Sequence, residues 1–486
     1  MKKTIYCLFL ILAVSVASCE LPDNIDPKHA LNIAPEAVFT QAEIGLVDQI
    51  GSISVNTNVT RLLVQYHSET TYVTESRYNF SDRQIPDAYF DDLYQEVLMN
   101  MKIAYNSLES SLVAAEADIK VRDNKLAIIE VCNVYTYQIL VDAFGNVPYS
   151  EALMGAENSR PVYDDALTIY LDLIDRLDAA IALMDADYDS FGDADVIYGG
   201  DVALWKKFAA TIKLRIALRL SDVPAAGSSS LVSEALATGV FEDQTESAIC
   251  VYNGIAPYVN SYYNEFVLTA RRDFVPTKTL VDKLLSLDDP RIATWITKYT
   301  NPVTLAEYYG EPYGLMGSSK YNNFSHFVDA ILFDPKYPVI LADYVEVEFL
   351  LAEAAERTLG GVTGAETHYN NAILVSMEYW GVLEPEALAY LANPDVAYST
   401  AEGDYKEKIG TQKWLGLFDR GPEAWAEWRR LDYPILTPPQ GMTQADIPMR
   451  MPYPFNENKQ NKTNYEAAST AIGGDEASTK LFWDKH

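Results

Sequence analysis

The stretch GTQKWLGLFDRGPEAWAEWRRLDYP, Gly410 to Pro434, decides how the rest of the chain is read. It holds Trp414, Trp425 and Trp428 out of only seven tryptophans, an Arg429-Arg430 pair and a Gly421-Pro422 break. Proline cannot continue a helix interior, so two short helices must meet at that break. The rings recur at helical spacing, Trp414 with Phe418 and Trp425 with Trp428, which directs them inward. The stretch is too apolar for a surface loop and predicts an anchor for surrounding helices, with Arg429 and Arg430 held by acidic neighbours.

Upstream, Ile340, Tyr344, Val347, Leu351 and Ala354 stripe one helix that stops at Gly360-Gly361. Ala365, Tyr369, Ala372 and Ser376 stripe its neighbour before Gly381. Adjacent helices joined by short glycine turns predict antiparallel pairs like tetratricopeptide units, although no strict repeat consensus occurs. Glu346, Glu348, Glu353 and Glu356 on the first of these helices are expected at the surface or against the Arg429-Arg430 pair. Further helices are predicted over Tyr89 to Ala117 and Lys125 to Phe144, the second apolar nearly all round and therefore a core helix. Tyr163 to Met184 shows a one-sided stripe. Asp201 to Leu220 carries Lys206, Lys207, Lys213, Arg215 and Arg219, expected to be solvated or ion-paired. The tail from Pro448 to Ala468 reads as an ordered strap. The fold class is all-α, a single domain over 35–486.

The helical period fades between about 224 and 338, apart from short pieces such as Thr277 to Ser286. A long irregular segment in a compact protein points to function. At the amino terminus, Lys2-Lys3, an apolar run and Val16-Ala17-Ser18-Cys19 form an export signal over 1–18. A cysteine directly after the small-residue site resembles a bacterial lipobox, making Cys19 the lipidation site. Residues 19–34, with Pro22 and Pro27, then read as a flexible tether.

The formal charge of −32 disfavours nucleic acid and anionic lipid headgroups, but not neutral sugars. Five scattered histidines, and the lack of a Gly-x-Ser-x-Gly elbow, of zinc-ligand spacing and of a phosphate loop, suggest no catalytic triad, zinc site or nucleotide site. A glycosidase needs only two carboxylates, which composition alone does not exclude, yet no acid is singled out by a motif. The acidic turn Asp185 to Asp195 departs from a calcium loop because Gly192 is displaced and no Glu closes it. Asp185, Asp187 and Asp189 are its calcium candidates, against a solvated turn. Cys132 and Cys250 are expected as buried free thiols.

What remains is recognition by rings and amides. Sugars offer an apolar C–H face for stacking and hydroxyls for hydrogen bonds, and 33 tyrosines against 17 phenylalanines suit that task. Two stretches combine rings with polar groups. One is Gln65 to Phe80, with Tyr66, His67, Tyr72, Arg77 and Tyr78. The other is the irregular middle, with Tyr252, Tyr258, Tyr262, Tyr263, Trp295, Tyr309, Tyr313 and Tyr321.

Across nearly the whole chain the motifs occur in an order that resembles the SusD/RagB-like nutrient-binding lipoproteins of Bacteroidetes outer membranes, particularly the starch-binding, outer-membrane-associated branch. The matching residues are Cys19, the run Phe144-Gly145-Asn146-Val147-Pro148-Tyr149, Trp205-Lys206-Lys207-Phe208, Asp289-Pro290-Arg291, Glu346 to Ala354, and Gln412-Lys413-Trp414 through Tyr433-Pro434. The resemblance implies a scaffold of tetratricopeptide-like helix pairs with an irregular ligand-facing half. It also implies a lipid-anchored protein at the cell surface that lids a TonB-dependent SusC-like barrel. Such a protein takes up a glycan, or a peptide as RagB-like members do, without catalysis and without a cofactor. A helical glycoside hydrolase and a pure protein scaffold are the readings from other classes.

Overall fold

The computed structural model describes residues 34–486, so the export signal, Cys19 and all but the last residue of the tether lie outside the described residues. Helices α1 (Pro35–Gly51), α2 (Met99–Glu109), α3 (Glu116–Phe144), α4 (Ala166–Leu183), α5 (Val202–Arg219) and α6 (Ser228–Thr238) pack each against the next, α2 being the continuation of a helical run that starts at Ile85. After the irregular middle come α7 (Tyr344–Glu356), α8 (Ala365–Tyr379), α9 (Tyr405–Gly416) and α10 (Gly421–Leu431). Six short strands form three two-stranded pairs: β1 (His67–Glu69) with β5 (Phe274–Pro276), β2 (Val147–Pro148) with β3 (Tyr163–Asp164), and β4 (Ala248–Cys250) with β6 (Val339–Ala342). One contiguous apolar core runs from Val38 to Trp483.

The all-α expectation holds, with corrections at element ends. The helix expected over Tyr89 to Ala117 ends at Glu109, and α3 starts at Glu116, nine residues before its expected start. Ser110 to Ala115 turns the chain between them, leaving Leu112 fully exposed. Ile340 belongs to β6, because Asp343 caps α7 by accepting from the Glu346 amide at 2.8 Å. Helix α3 is long and apolar enough to cross a membrane, but its apolar stretch is buried inside the protein. Cys132 and Cys250 are free and buried, and burial pushes both thiols upward.

The Gly410 to Pro434 stretch forms α9 and α10, with Trp414, Trp425 and Trp428 all buried. Gly421 is required for close approach, since a Cβ there would stand 2.3 Å from Thr60 Oγ1 and 2.9 Å from the Arg61 amide nitrogen. Around these helices lies a buried ionic network. Arg215 of α5 pairs with Glu346 of α7 at 2.6 Å, and Arg219 with Glu423 of α10 at 2.9 Å. Lys413 of α9 reaches Glu427 of α10 at 2.5 Å, and Arg420 bridges Asp343 and Glu346. Burial alone would raise the Glu427 carboxyl, but Arg430, Lys413 and Arg219 outweigh it and hold the group well below the usual carboxylate range.

Arg430 meets acids as expected, pairing with Glu353 and Glu427. Arg429 does not. Its guanidinium lies 3.7 Å from the Trp425 ring centre and donates to the carbonyls of Trp425, Met449 and Asp142. Burial draws its pKa down to about 10, with Asp142 offsetting part of the loss. The C-terminal strap is fastened over this anchor, as Arg450 donates to the Phe144 carbonyl and pairs with Asp475 at 2.6 Å.

Candidate ligand-binding face

The two stretches nominated from sequence meet at one edge of the scaffold. In the antiparallel β1–β5 pair, His67 faces Pro276 and Glu69 faces Phe274. The ladder continues through the Thr70 amide, which donates to the Asp273 carbonyl at 2.8 Å, and Thr71 Oγ1, 3.3 Å from Asp273 Oδ2. Tyr72 and Arg272 each stand one residue beyond that contact. On the other side the Ser319 amide donates to the Thr70 carbonyl at 2.7 Å, which brings in the loop carrying Lys320 and Tyr321.

Tyr72 is 70% exposed at this tip. Tyr321 is half-buried and stacks on His326 with ring centres 3.8 Å apart, leaving Asn322 and Asn323 exposed next to it. Burial pushes the Tyr321 phenol up to about 12, and the nearby Arg272 charge opposes that rise. The backbone is strained here: Gln65, Tyr72, Tyr78 and Ala270 all have φ between +54° and +63°, the left-handed region. Such conformations cost about 1–3 kcal/mol each for a residue with a Cβ and concentrate at functional sites.

Carboxylates lie beneath the tip. Glu69 is 1% exposed, and its Oε2 accepts from the Ser76 amide and hydroxyl while its Oε1 has no hydrogen-bond partner among the described residues. Burial, then the nearby Glu75, pushes Glu69 up to about 8. Burial likewise raises Glu311 to about 7. Arg271 donates to Asp273 at 2.8 Å and leans over the Phe274 ring.

Several nominated residues do not reach solvent. Tyr66 is buried because its hydroxyl donates to the Trp414 carbonyl, while the Trp414 indole donates to the Val64 carbonyl, locking this loop onto α9. His67 is buried against Phe327 and 2.8 Å from the Tyr262 hydroxyl; Tyr262, also buried, donates to Asp419. Trp295 stacks on Phe418 at 4.1 Å in the core, and Tyr313 is buried against Tyr78. These four rings and the imidazole therefore support the face from beneath. Arg77 is occupied by the carbonyls of Gly314 and Gln440, tying two loops together. Tyr309 stacks on Phe324, and Tyr263 is half-buried.

Tyr258 and the buried Tyr252 sit elsewhere, in an apolar groove of about 380 Å³ between α1 and the 250–258 loop. The sequence reading missed Arg272 and Lys320. The available signal was an adjacent Arg271-Arg272 pair, conspicuous in so acidic a chain.

Residues 27–454 match the family described as starch-binding and associating with the outer membrane. The chain belongs to this SusD-like family. No curated protein sequence matches the chain at a significant level. Among solved structures, similar ones include a chitin-binding protein, 25% identical, with a TM-score of 0.79 over 93% of this chain and all of that one. A chitin-binding SusD homologue from Flavobacterium johnsoniae is 23% identical, with a TM-score of 0.76 over 93% of this chain and 98% of that one. A SusD homologue from Bacteroides uniformis is also 23% identical, with a TM-score of 0.77 over 92% and 99%.

In this SusD-like protein the acidic turn is organised from inside. The Asn124 amide donates to the carbonyls of Asp185, Tyr188 and Asp189, while Lys120 meets the Asp185 carboxylate at 3.2 Å. Asp187 and Asp189 are exposed. Among the described residues no three His, Cys, Asp or Glu side chains are grouped to hold a metal ion.

Proposed function

We propose that this SusD-like protein captures an oligosaccharide at the cell surface and passes it to a TonB-dependent SusC-like barrel, held to the outer membrane through a lipid on Cys19. The observation that carries the reading is the tip itself: an exposed Tyr72 ring, the Tyr321–His326 stack and the amides of Asn322 and Asn323 on one strained edge. Rings for the apolar sugar face and amides for its hydroxyls are the recognition chemistry a glycan requires. The chitin-binding structural neighbours agree with it.

The protein does this without catalysis. Of the carboxylates with raised pKa near the tip, Glu69 and Glu311 are each 1% exposed and Glu265 is 9% exposed beside Arg271, so none is presented to a substrate. Calorimetric titration with a panel of oligosaccharides and short peptides tests the reading. Binding of at least one glycan with no release of reducing ends is expected. Binding of peptides alone would favour RagB-like peptide import, and reducing ends released in a carboxylate-dependent way would make the protein a hydrolase.

A further inference from the structure

In a chain of charge −32, most well-placed cations are engaged by carboxylates: Lys207 by Glu242 and Glu246, Lys213 by Asp178 and Glu234, Arg357 by Asp222 and Glu353. Arg272 and Lys320, like Arg160 and Lys336 elsewhere on the surface, have no carboxylate partner among the described residues, and what sets these two apart is their place beside the rings. Both are exposed at the ligand tip, and neither has a side-chain hydrogen bond or ion pair among the described residues. They flank the rings nominated for ligand, Arg272 one residue beyond the Thr71–Asp273 contact that leads to Tyr72, and Lys320 directly before Tyr321. The charge of Arg272 is felt at the Tyr321 hydroxyl.

We propose that the tip takes an anionic glycan, one bearing carboxylate or sulfate groups, with Arg272 and Lys320 meeting its charge. The proposal rests on the glycan-binding reading above and names its ligand class.

The groups facing the tip set its field. Asp273 is neutralised by Arg271 at 2.8 Å, and Glu69 and Glu311 are buried below. Glu265 is at the edge of burial next to Arg271. Asp329 is the exposed carboxylate whose charge is felt at Tyr321, opposing Arg272. Burial keeps Glu69 protonated up to about pH 8, so it adds little negative charge under the rings at neutral pH. Two solvated cations then act on a ligand at the rings, while the acidic remainder of the surface repels an anion docking elsewhere. A neutral sugar would gain hydrogen bonds from the two side chains but no charge attraction.

The test compares oligogalacturonate with neutral chito- and malto-oligosaccharides, titrated into the wild-type protein and into an Arg272→Gln, Lys320→Gln double variant, with thermal melts to show that the fold is kept. Oligogalacturonate should bind more tightly than either neutral series. Its affinity should fall roughly ten-fold between about 50 and about 300 mM salt, because exposed charges are screened over that range. The double variant should lose about ten-fold or more for the acidic ligand at low salt. Neutral oligosaccharides bound at least as tightly, with the double variant unaffected, would overturn the proposal and leave the glycan reading standing. No binding to any glycan, acidic or neutral, would overturn both.

Discussion

Glu69 shows how a single residue can report on the ligand face. Its carboxyl is pushed up to about 8 in the folded protein, against an ordinary value near 4.5 that it regains on unfolding. Between those values the folded state binds more protons than the unfolded state, so this group makes stability fall as pH rises from about 4.5 to about 8, and contributes no further slope above that. Carboxylates held low by arginines, such as Glu427, act in the opposite sense. The readout is therefore the difference between wild type and Glu69→Gln. Over pH 5 to 8 the melting temperature of the variant should gain on that of the wild type, because glutamine keeps the shape and cannot ionise. Parallel curves would show that Glu69 ionises normally. Sequence alone could not single out Glu69: burial and the approach of Glu75 are consequences of tertiary packing, whereas the Tyr72 and Tyr321 rings stood out as aromatics in irregular segments.

At the scale of elements, α9 and α10 were legible because tryptophan spacing and a Gly-Pro break are local signals. The fate of the rings nominated for ligand was not. Tyr66, Tyr262 and Trp295 carry the same residue types as the tip, and only the docking of their loops onto Trp414, Asp419 and Phe418 assigns them to the core. The basic helix α5 was read as solvated or paired, and the structure pairs Arg215 and Arg219 deep inside with acids from α7 and α10. Element ends were the weak point, as at Ile340, where the strand β6 precedes the Asp343 cap. The anchor role of α10 gives a stability prediction. Trp425→Ala removes a ring that is 1% exposed, donates to the Pro448 carbonyl and carries Arg429 on its face. It should cost roughly 3–5 kcal/mol in chemical denaturation. A loss under about 1 kcal/mol accompanied by weakened ligand binding would instead place the ring in the site.

For the whole molecule, the helix pairs form a rigid base, the buried ion network and the C-terminal strap close it, and the β1–β5 edge presents the rings. In the proposed function, placement at the membrane is a separate property, assigned to the lipid on Cys19. Cys19→Ala should yield a folded protein with unchanged melting that moves from the membrane pellet to the soluble fraction. Retention in the pellet would remove the lipid anchor from the account. The central claim is that ligand is held at the tip by Tyr72 and Tyr321, and the most direct test is glycan titration of a Tyr72→Ala, Tyr321→Ala variant beside the wild type. The account predicts affinity reduced by about ten-fold or more, on the order of 1.4 kcal/mol, with the melting temperature nearly unchanged. Unaltered affinity in a folded double variant would contradict it.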